Sequence, residues 1–209
     1  MFNLRRKSAI LSCILVLAML CSTIMAPPVF ADGALPRHIS IVMTESPQDS
    51  ILIAWETNDT SVKHATVQVV EASDPNGFDS DKVVVASNGS VTVSGSIAYS
   101  KVLVTGLKAG TQYIFRCGDG TDEGWSGEGT FKTAPETQEP FTFLYLSDPQ
   151  INLSTGSQDA SKTRQMFKDA WEQFGDDLSF SLITGDFTDY NSQSEWNELF
   201  DMAICSQML

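Results

Sequence analysis

Short apolar runs alternate with turn-forming residues from about residue 36 to residue 135. The runs are rich in β-branched and aromatic residues, and no helical period separates them. Strands at this spacing predict an antiparallel β-sandwich, here over residues 36–135. The predicted strands include 50–57 (SILIAWET), 63–72 (KHATVQVVEA), 82–87 (KVVVAS), 100–106 (SKVLVTG) and 112–118 (QYIFRCG), flanked by HISIVMT and GEGTFKT.

Two aromatic residues have predicted structural roles in this sandwich. Ile51, Ile53 and Trp55 occupy alternate positions of one run, so they share a strand face and Trp55 is predicted in the core rather than in a ligand site. The segment LKAGTQY, residues 107–113, has the spacing of a tyrosine corner, so Tyr113 is predicted to brace the sheets.

The acidic loop SDPNGFDSD, residues 73–81, invites a calcium-site interpretation. Its Pro-Asn-Gly sequence is a strong turn signal, and the spacing of its aspartates does not fit an EF-hand. We therefore predict a turn here, and likewise at GDGTDEG, residues 118–124.

The pattern changes after residue 140. FTFLYLS (141–147) and LSFSLIT (178–184) are near-continuous apolar runs, typical of strands buried on both faces. Between them, residues 160–174 place apolar side chains at helical spacing: Met166, Phe167, Ala170, Trp171 and Phe174. The order strand, helix, strand predicts a right-handed parallel βαβ unit. A second helix is predicted after Ser192, which has capping-box spacing to Glu195.

Each of the two predicted parallel strands is followed by an aspartate, Asp148 after the first and Asp186 after the second. Ligands bind outside the carboxyl ends of the strands in open α/β sheets, so the two carboxylates are expected to meet there. Their repulsion would be relieved by a divalent metal ion. The alternative interpretation, in which each aspartate only stabilises a turn, stays open from pattern alone.

The N-terminus has the pattern of an export signal. Arg5, Arg6 and Lys7 precede an apolar stretch at residues 9–20, and we place cleavage after Ala31. This interpretation is favoured over an uncleaved membrane anchor, because polar residues interrupt the apolar stretch. The predicted product is secreted and has no membrane attachment.

Charge and cysteine content exclude several classes of function. The chain has a net charge of −13, and residues 1–31 contain no acidic residue, so removing them leaves a more acidic protein. A protein this acidic is a poor candidate for binding nucleic acid. Cys117 and Cys205, which remain after cleavage, are distant in sequence and form neither a disulfide framework nor a zinc ligand set.

The first region resembles the N-terminal fibronectin type III-like domain of purple acid phosphatases. The resemblance rests on PRHISIVMT, ILIAWET, VTGLKAGTQYIFRCGDGTDEGWS and FKT. The later segments FLYLSDPQ and LITGDFTDYN resemble the first two motifs of calcineurin-like metallophosphoesterases, the superfamily of those phosphatases. Residues 140–209 would then be a partial catalytic domain.

The resemblance implies a phosphate ester substrate and a dinuclear centre of two divalent ions, or of Fe(III) and a divalent ion, in the full-length relative. Asp148 would bind one ion, Asp186 would bridge both, and Gly185 would keep the turn open for the bridging carboxylate. Gln150 stands where the superfamily usually has histidine, and Asp189 stands where purple acid phosphatases have the tyrosine ligand. Both are weaker candidate ligands, and the departures favour a colourless centre.

The family also uses later histidine motifs, whereas no histidine follows His64 in this sequence. We therefore expect a truncated or frameshifted copy of a metal-dependent acid phosphatase that is itself inactive. The alternative is a secreted fibronectin-like binding or adhesion module with a vestigial catalytic tail.

Overall fold

The structure is a computed structural model that describes residues 35–153 and 158–201. The signal peptide predicted for residues 1–31 lies outside the described residues. Within them, eight strands precede residue 135 and form two antiparallel sheets. The first sheet has the strand order β1-β2-β6-β5, and the second sheet has the order β4-β3-β7-β8.

The strands of the two sheets are β1 Arg37–Met43, β2 Ser50–Thr57, β3 Thr66–Glu71, β4 Val84–Ala86, β5 Ser90–Ser94, β6 Ile97–Thr105, β7 Gln112–Gly118 and β8 Gly129–Lys132. The predicted bounds of β2 and β7 agree with the structure, and the sandwich prediction is confirmed. Strand β5 was missed, because SVTVS is polar at every second position and has no apolar run. Its Val91 nevertheless packs against the core between the sheets.

The two sheets enclose one apolar core. Its buried members include Ile53, Trp55, Val67, Val69, Val102, Val104, Phe115 and Cys117. Trp55 is 4% exposed, which confirms its predicted core position. Burial raises the pKa of the Cys117 thiol to about 12, so this cysteine is unreactive in the folded sandwich.

The tyrosine corner forms as predicted. Tyr113 is buried, and its hydroxyl oxygen accepts a hydrogen bond from the backbone N–H of Lys108 at 2.8 Å. The ring also stacks on Phe131 of β8. Tyr113 therefore fixes the 107–111 turn to the second sheet.

The loop at 73–81 is a turn, as predicted. It contains a 3-10 turn at Gly77–Asp79. Asp74 accepts hydrogen bonds from the Asn76 N–H and the Ser80 hydroxyl, which lower the pKa of its carboxyl in that order of importance. The carboxylate thus stabilises the turn itself.

The remaining elements are β9 Thr142–Ser147, α1 Gln158–Phe174, β10 Leu178–Thr184 and α2 Gln193–Phe200, with a 3-10 turn at Gly175–Asp177 before β10. Strands β9 and β10 pair in parallel, in register from Phe143 opposite Phe180 to Ser147 opposite Thr184. Helix α1 packs on one face of this pair through Phe167, which is fully buried. Met166 and Phe174, which were predicted on the same apolar face, are about 40% exposed because they lie at its margins.

The expectation that β9 and β10 are buried on both faces is wrong for the described residues. Phe143, Tyr145 and Leu182 are 45%, 58% and 45% exposed on the face away from α1. The rings of Phe143 and Phe180 stack on each other there. Helices α1 and α2 supply apolar side chains to the opposite face only.

Helix α2 also contacts the sandwich through His38. His38 has a positive φ of 51° and lies where the register of β1 against β2 shifts. Its ring stacks on Phe200 with centroids 5.1 Å apart. Its Nδ1 lies 2.8 Å from Glu56 Oε1, and its Nε2 lies 3.3 Å from Asp201 Oδ1. The imidazole therefore connects the first sheet to the end of α2.

Neither helix in the described residues combines the length and the apolar composition needed to cross a membrane.

Candidate functional site

Asp148 and Asp186 lie together at the carboxyl ends of β9 and β10. The backbone N–H of Asp148 donates to Thr184 O at 2.9 Å, and the backbone N–H of Asp186 donates to Asp148 Oδ1 at 3.2 Å. Both residues are exposed. Parallel pairing thus brings the two predicted carboxylates to one edge of the sheet.

Gly185 leaves the space that the Asp148 carboxylate occupies. Its φ is 75°, in the region that favours glycine. A Cβ built at residue 185 would lie 2.3 Å from Asp148 Oδ1 and 2.5 Å from Asp148 Cγ. The glycine therefore makes room for the carboxylate of Asp148, whereas the family resemblance implied a role beside Asp186.

The Asp148 carboxylate is held in its charged form. The Ser147 hydroxyl and the Asp186 N–H both donate to the Asp148 carboxylate and lower its pKa, and the Ser147 bond has the larger effect. Burial acts in the opposite direction. Asp148 and Gln150 both have positive φ, at 52° and 42°. The chain is thus bent sharply on either side of Pro149, which is buried.

The loops that follow β9 and β10 continue to pair beyond the strands. We call residues 148–153 the first loop and residues 185–192 the second loop. Gln150 N–H donates to Asp186 O at 2.9 Å, and Ile151 N–H donates to Phe187 O at 3.0 Å. The Asp189 N–H donates in turn to Ile151 O, also at 3.0 Å.

Gln150 and Asp189, the weaker candidate ligands, occupy different positions in these loops. Both side chains are exposed. The Asp189 carboxylate accepts a hydrogen bond from the Asn152 amide, so it links the second loop to the first. This contact gives Asp189 a structural role between the two loops.

The donors at this edge suit part of one metal shell. Carboxylate and amide oxygens are ligands for hard divalent cations, and the lowered pKa of Asp148 keeps its carboxylate anionic. Within residues 35–153 and 158–201, however, no three His, Cys, Asp or Glu side chains converge as a metal site. The described residues therefore do not fit a dinuclear centre.

Glu195, which the sequence identified only as a capping residue, is the buried acidic side chain beneath these loops. It is 2% exposed, and its carboxylate accepts from the backbone N–H groups of Tyr190 and Ser192, each at 3.1 Å. The capping-box spacing was the only sequence signal for it. The spacing does not show that the side chain reaches beyond its own helix.

A separate groove of about 310 Å³ lies on the outer face of the first sheet, against α2. Its lining includes His38, Glu56, Tyr99, Lys101 and Phe200. None of the candidate metal ligands contributes to this lining.

Three solved structures similar to this chain share 12–17% of its sequence. A search of curated proteins found no match. Among solved structures, a computationally redesigned β-sandwich protein is 17% identical, with 49% of this chain and 97% of that chain covered and a TM-score of 0.33. The third fibronectin III domain of the human KIAA0343 protein is 13% identical, with coverages of 56% and 98% and a TM-score of 0.33. Astrotactin-2, described as a vertebrate-specific perforin-like membrane protein, is 12% identical, with coverages of 82% and 37% and a TM-score of 0.36.

A family model matches the sandwich. Residues 36–133 match the family described as "Purple acid Phosphatase, N-terminal domain". The matched segment begins one residue before β1 and ends one residue after β8, so it coincides with the sandwich. Residues 36–133 of this chain are therefore similar to the N-terminal domain of purple acid phosphatases.

Proposed function

We propose that this protein is a secreted relative of metal-dependent acid phosphatases, whose family chemistry is the hydrolysis of phosphate monoesters at a metal centre. The observation that carries the proposal is the position of Asp148 and Asp186 at adjacent ends of two parallel strands, directly downstream of a purple acid phosphatase N-terminal domain. In this proposal, β9, α1 and β10 are the opening unit of a metallophosphoesterase domain. Export is proposed from the pattern of residues 1–31.

The local chemistry supports a cation between the two strand ends. Asp148 is kept anionic by the Ser147 hydroxyl and the Asp186 N–H, and Gly185 leaves room for its carboxylate. Asp148 and Asp186 would hold the ion, and the Gln150 amide would complete the shell or orient a water molecule. A divalent ion there would act as a Lewis acid and lower the pKa of a bound water.

We further propose that this chain does not itself turn over phosphate esters. A phosphatase needs a donor that protonates the leaving group and enough ligands to hold its metal. The sequence has two histidines, His38 and His64, and both belong to the sandwich rather than to the strand ends that carry Asp148 and Asp186. The His38 ring is moreover enclosed between Glu56 and Phe200.

Titration calorimetry with Mn²⁺ tests the metal site on the purified chain. We expect weak binding of one ion, which Asp148→Asn and Asp186→Asn each abolish. Asp177→Asn is the matched control, because this exposed aspartate precedes β10 at the opposite end of the strand. Binding that survives in both test variants would overturn the site.

Hydrolysis of p-nitrophenyl phosphate with added Mn²⁺, Zn²⁺ or Fe²⁺ tests the proposed inactivity. We expect no turnover above that of the Asp186→Asn variant. Metal-dependent turnover that Asp186→Asn abolishes would show that the chain is an active phosphatase, and would refute the inactive assignment while supporting the site.

A further inference from the structure

The groove on the outer face of the first sheet has a floor of small side chains. Ala54 alternates along β2 with the core residues Ile53 and Trp55, so its side chain faces the outer surface. The strand register places Ala54 opposite Ser40 of β1 and Lys101 of β6. The small side chains leave room above the sheet for a groove of about 310 Å³, at the lower end of the size range of small-molecule sites.

Two aromatic side chains line this groove. Tyr99 of β6 is 42% exposed and lies directly opposite Glu56 of β2 in the register. Phe200 of α2 stacks on His38, which belongs to β1. Strand β2 lies between β1 and β6, so Glu56 separates Tyr99 from the stacked pair. An exposed aromatic ring offers a ligand a large apolar contact area.

The Glu56 carboxylate supplies a hydrogen-bond acceptor to the groove. Its side chain is 8% exposed, and its Oε1 lies 2.8 Å from Arg37 Nη2 and 2.8 Å from His38 Nδ1. Both contacts use Oε1, and Oε2 has no hydrogen-bond partner in the part of the chain that the structure describes. A buried carboxylate oxygen without a partner favours a ligand group that donates to it.

Lys101 supplies a hydrogen-bond donor to the same groove. It is exposed, and among residues 35–153 and 158–201 no carboxylate lies within ion-pair distance of its ammonium group. Lys101 lies opposite Ala54, two positions before Glu56, so it is a diagonal neighbour of Glu56 at about 7–8 Å on the sheet. Ser90 and Thr92 of β5 add exposed hydroxyl groups, which can donate or accept.

We propose that this groove binds a neutral carbohydrate. A carboxylate only accepts hydrogen bonds and an ammonium group only donates them, whereas a sugar hydroxyl does both. The hydroxyl groups of one sugar ring can therefore satisfy Glu56 and Lys101 together, while its C–H face packs on Tyr99. A simple anion fits less well, because it would lie beside the Glu56 carboxylate. The inference goes beyond the proposed relationship to phosphatases and requires no metal.

NMR titration of the ¹⁵N-labelled full chain with maltotriose, cellotriose and chitotriose tests the site. We expect at least one of these trisaccharides to shift the amide signals of Ala54, Tyr99 and Lys101 saturably. The Kd should be about 1 mM, because a small groove buries little of such a ligand. Absence of a saturable shift of these signals with every trisaccharide at about 20 mM would overturn the proposal.

Substitutions along β6 distinguish the groove from the surrounding surface. Tyr99→Ala removes the ring and should raise the Kd roughly three- to tenfold. Lys101→Met removes the charge but keeps the aliphatic stem, and it should raise the Kd roughly tenfold. Leu103→Ala is the matched control and should leave the Kd unchanged, because Leu103 is 43% exposed on the same face of β6 and does not line the groove. Equal affinity in Tyr99→Ala and the unsubstituted chain would overturn the carbohydrate assignment.

Titration with inorganic phosphate tests the alternative of an anion site. We expect no saturable shift of the Lys101 amide signal with phosphate. Phosphate binding that is tighter than sugar binding, lost in Lys101→Met and unchanged in Tyr99→Ala would overturn the carbohydrate assignment. The sugar affinity should be the same in Asp186→Asn, because this residue does not line the groove. The carbohydrate proposal and the proposed metal site can therefore fail independently of each other.

Discussion

Gly185→Ala is expected to disturb the candidate site from within the backbone. Residue 185 has a φ of 75°, and the left-handed region costs a residue with a Cβ about 1–2 kcal/mol relative to glycine. The new methyl carbon would also fall 2.3 Å from Asp148 Oδ1, closer than any real contact. The Asp148 carboxylate must then move and release the Asp186 N–H.

The exchange rate of the Asp186 amide measures this effect directly. A cost of 1–2 kcal/mol corresponds to about a 5- to 30-fold change in an equilibrium, so we expect acceleration of the Asp186 amide by at least that range. The Mn²⁺ affinity should fall in the same variant, because the displaced carboxylate is a proposed ligand.

Gly106→Ala is the matched control. Gly106 has a similar φ of 78°, but nothing lies within 4 Å of the position its Cβ would take. Gly106→Ala should therefore lower the stability of the sandwich through its backbone strain. It should leave the exchange rate of the Asp186 amide and the affinity for Mn²⁺ unchanged. If the Asp186 amide exchanges equally in Gly185→Ala and in the unsubstituted chain, the contact between Gly185 and Asp148 is not what shapes this edge.

Three further results are expected. Tyr113→Phe should lower the free energy of unfolding of the sandwich by about 1–3 kcal/mol in urea titrations, because the Lys108 N–H loses its acceptor. Tyr99→Phe is the control, since this ring is exposed and its substitution should change the free energy of unfolding little. Equal effects of the two substitutions would contradict the tyrosine corner. His38→Ala should remove about 1 kcal/mol of aromatic stacking and speed amide exchange at the end of α2, and unchanged exchange would exclude that contact in solution. The pKa of Glu195 is lowered on folding, so the ionised carboxylate stabilises the fold above the ordinary pKa of 4.5. This stabilisation is lost as the pH falls through the lower pKa of the folded state. The helical circular dichroism signal should therefore decline over that pH range, and it should decline less in Glu195→Gln.

Local patterns in the sequence predicted those elements well whose structure depends on residues close together in the chain. Alternation of Ile51, Ile53 and Trp55 determined which face of β2 is buried, and the spacing from Leu107 to Tyr113 determined the corner. Strand β5 was missed because Val91 and Val93 are its only apolar residues, and pairing with β6 completes it.

The candidate site was predictable in its outline. Two apolar runs that each end in an aspartate indicate that Asp148 and Asp186 share a sheet edge, since parallel strands point the same way. The role of Gly185 beside Asp148 was not predictable, because it depends on the close approach of two segments that are distant in the sequence.

The sequence by itself determined the sandwich, the parallel strand pair and the two carboxylates, because periodicity and turn chemistry act over a few residues. Only the tertiary structure decided that the Glu195 carboxylate accepts from the Tyr190 N–H, that the His38 ring stacks on Phe200, and that the Phe143 face of β9 and β10 is exposed among the described residues. These contacts join residues from different elements, and their geometry follows from how the elements pack and not from the order of residues within any one of them.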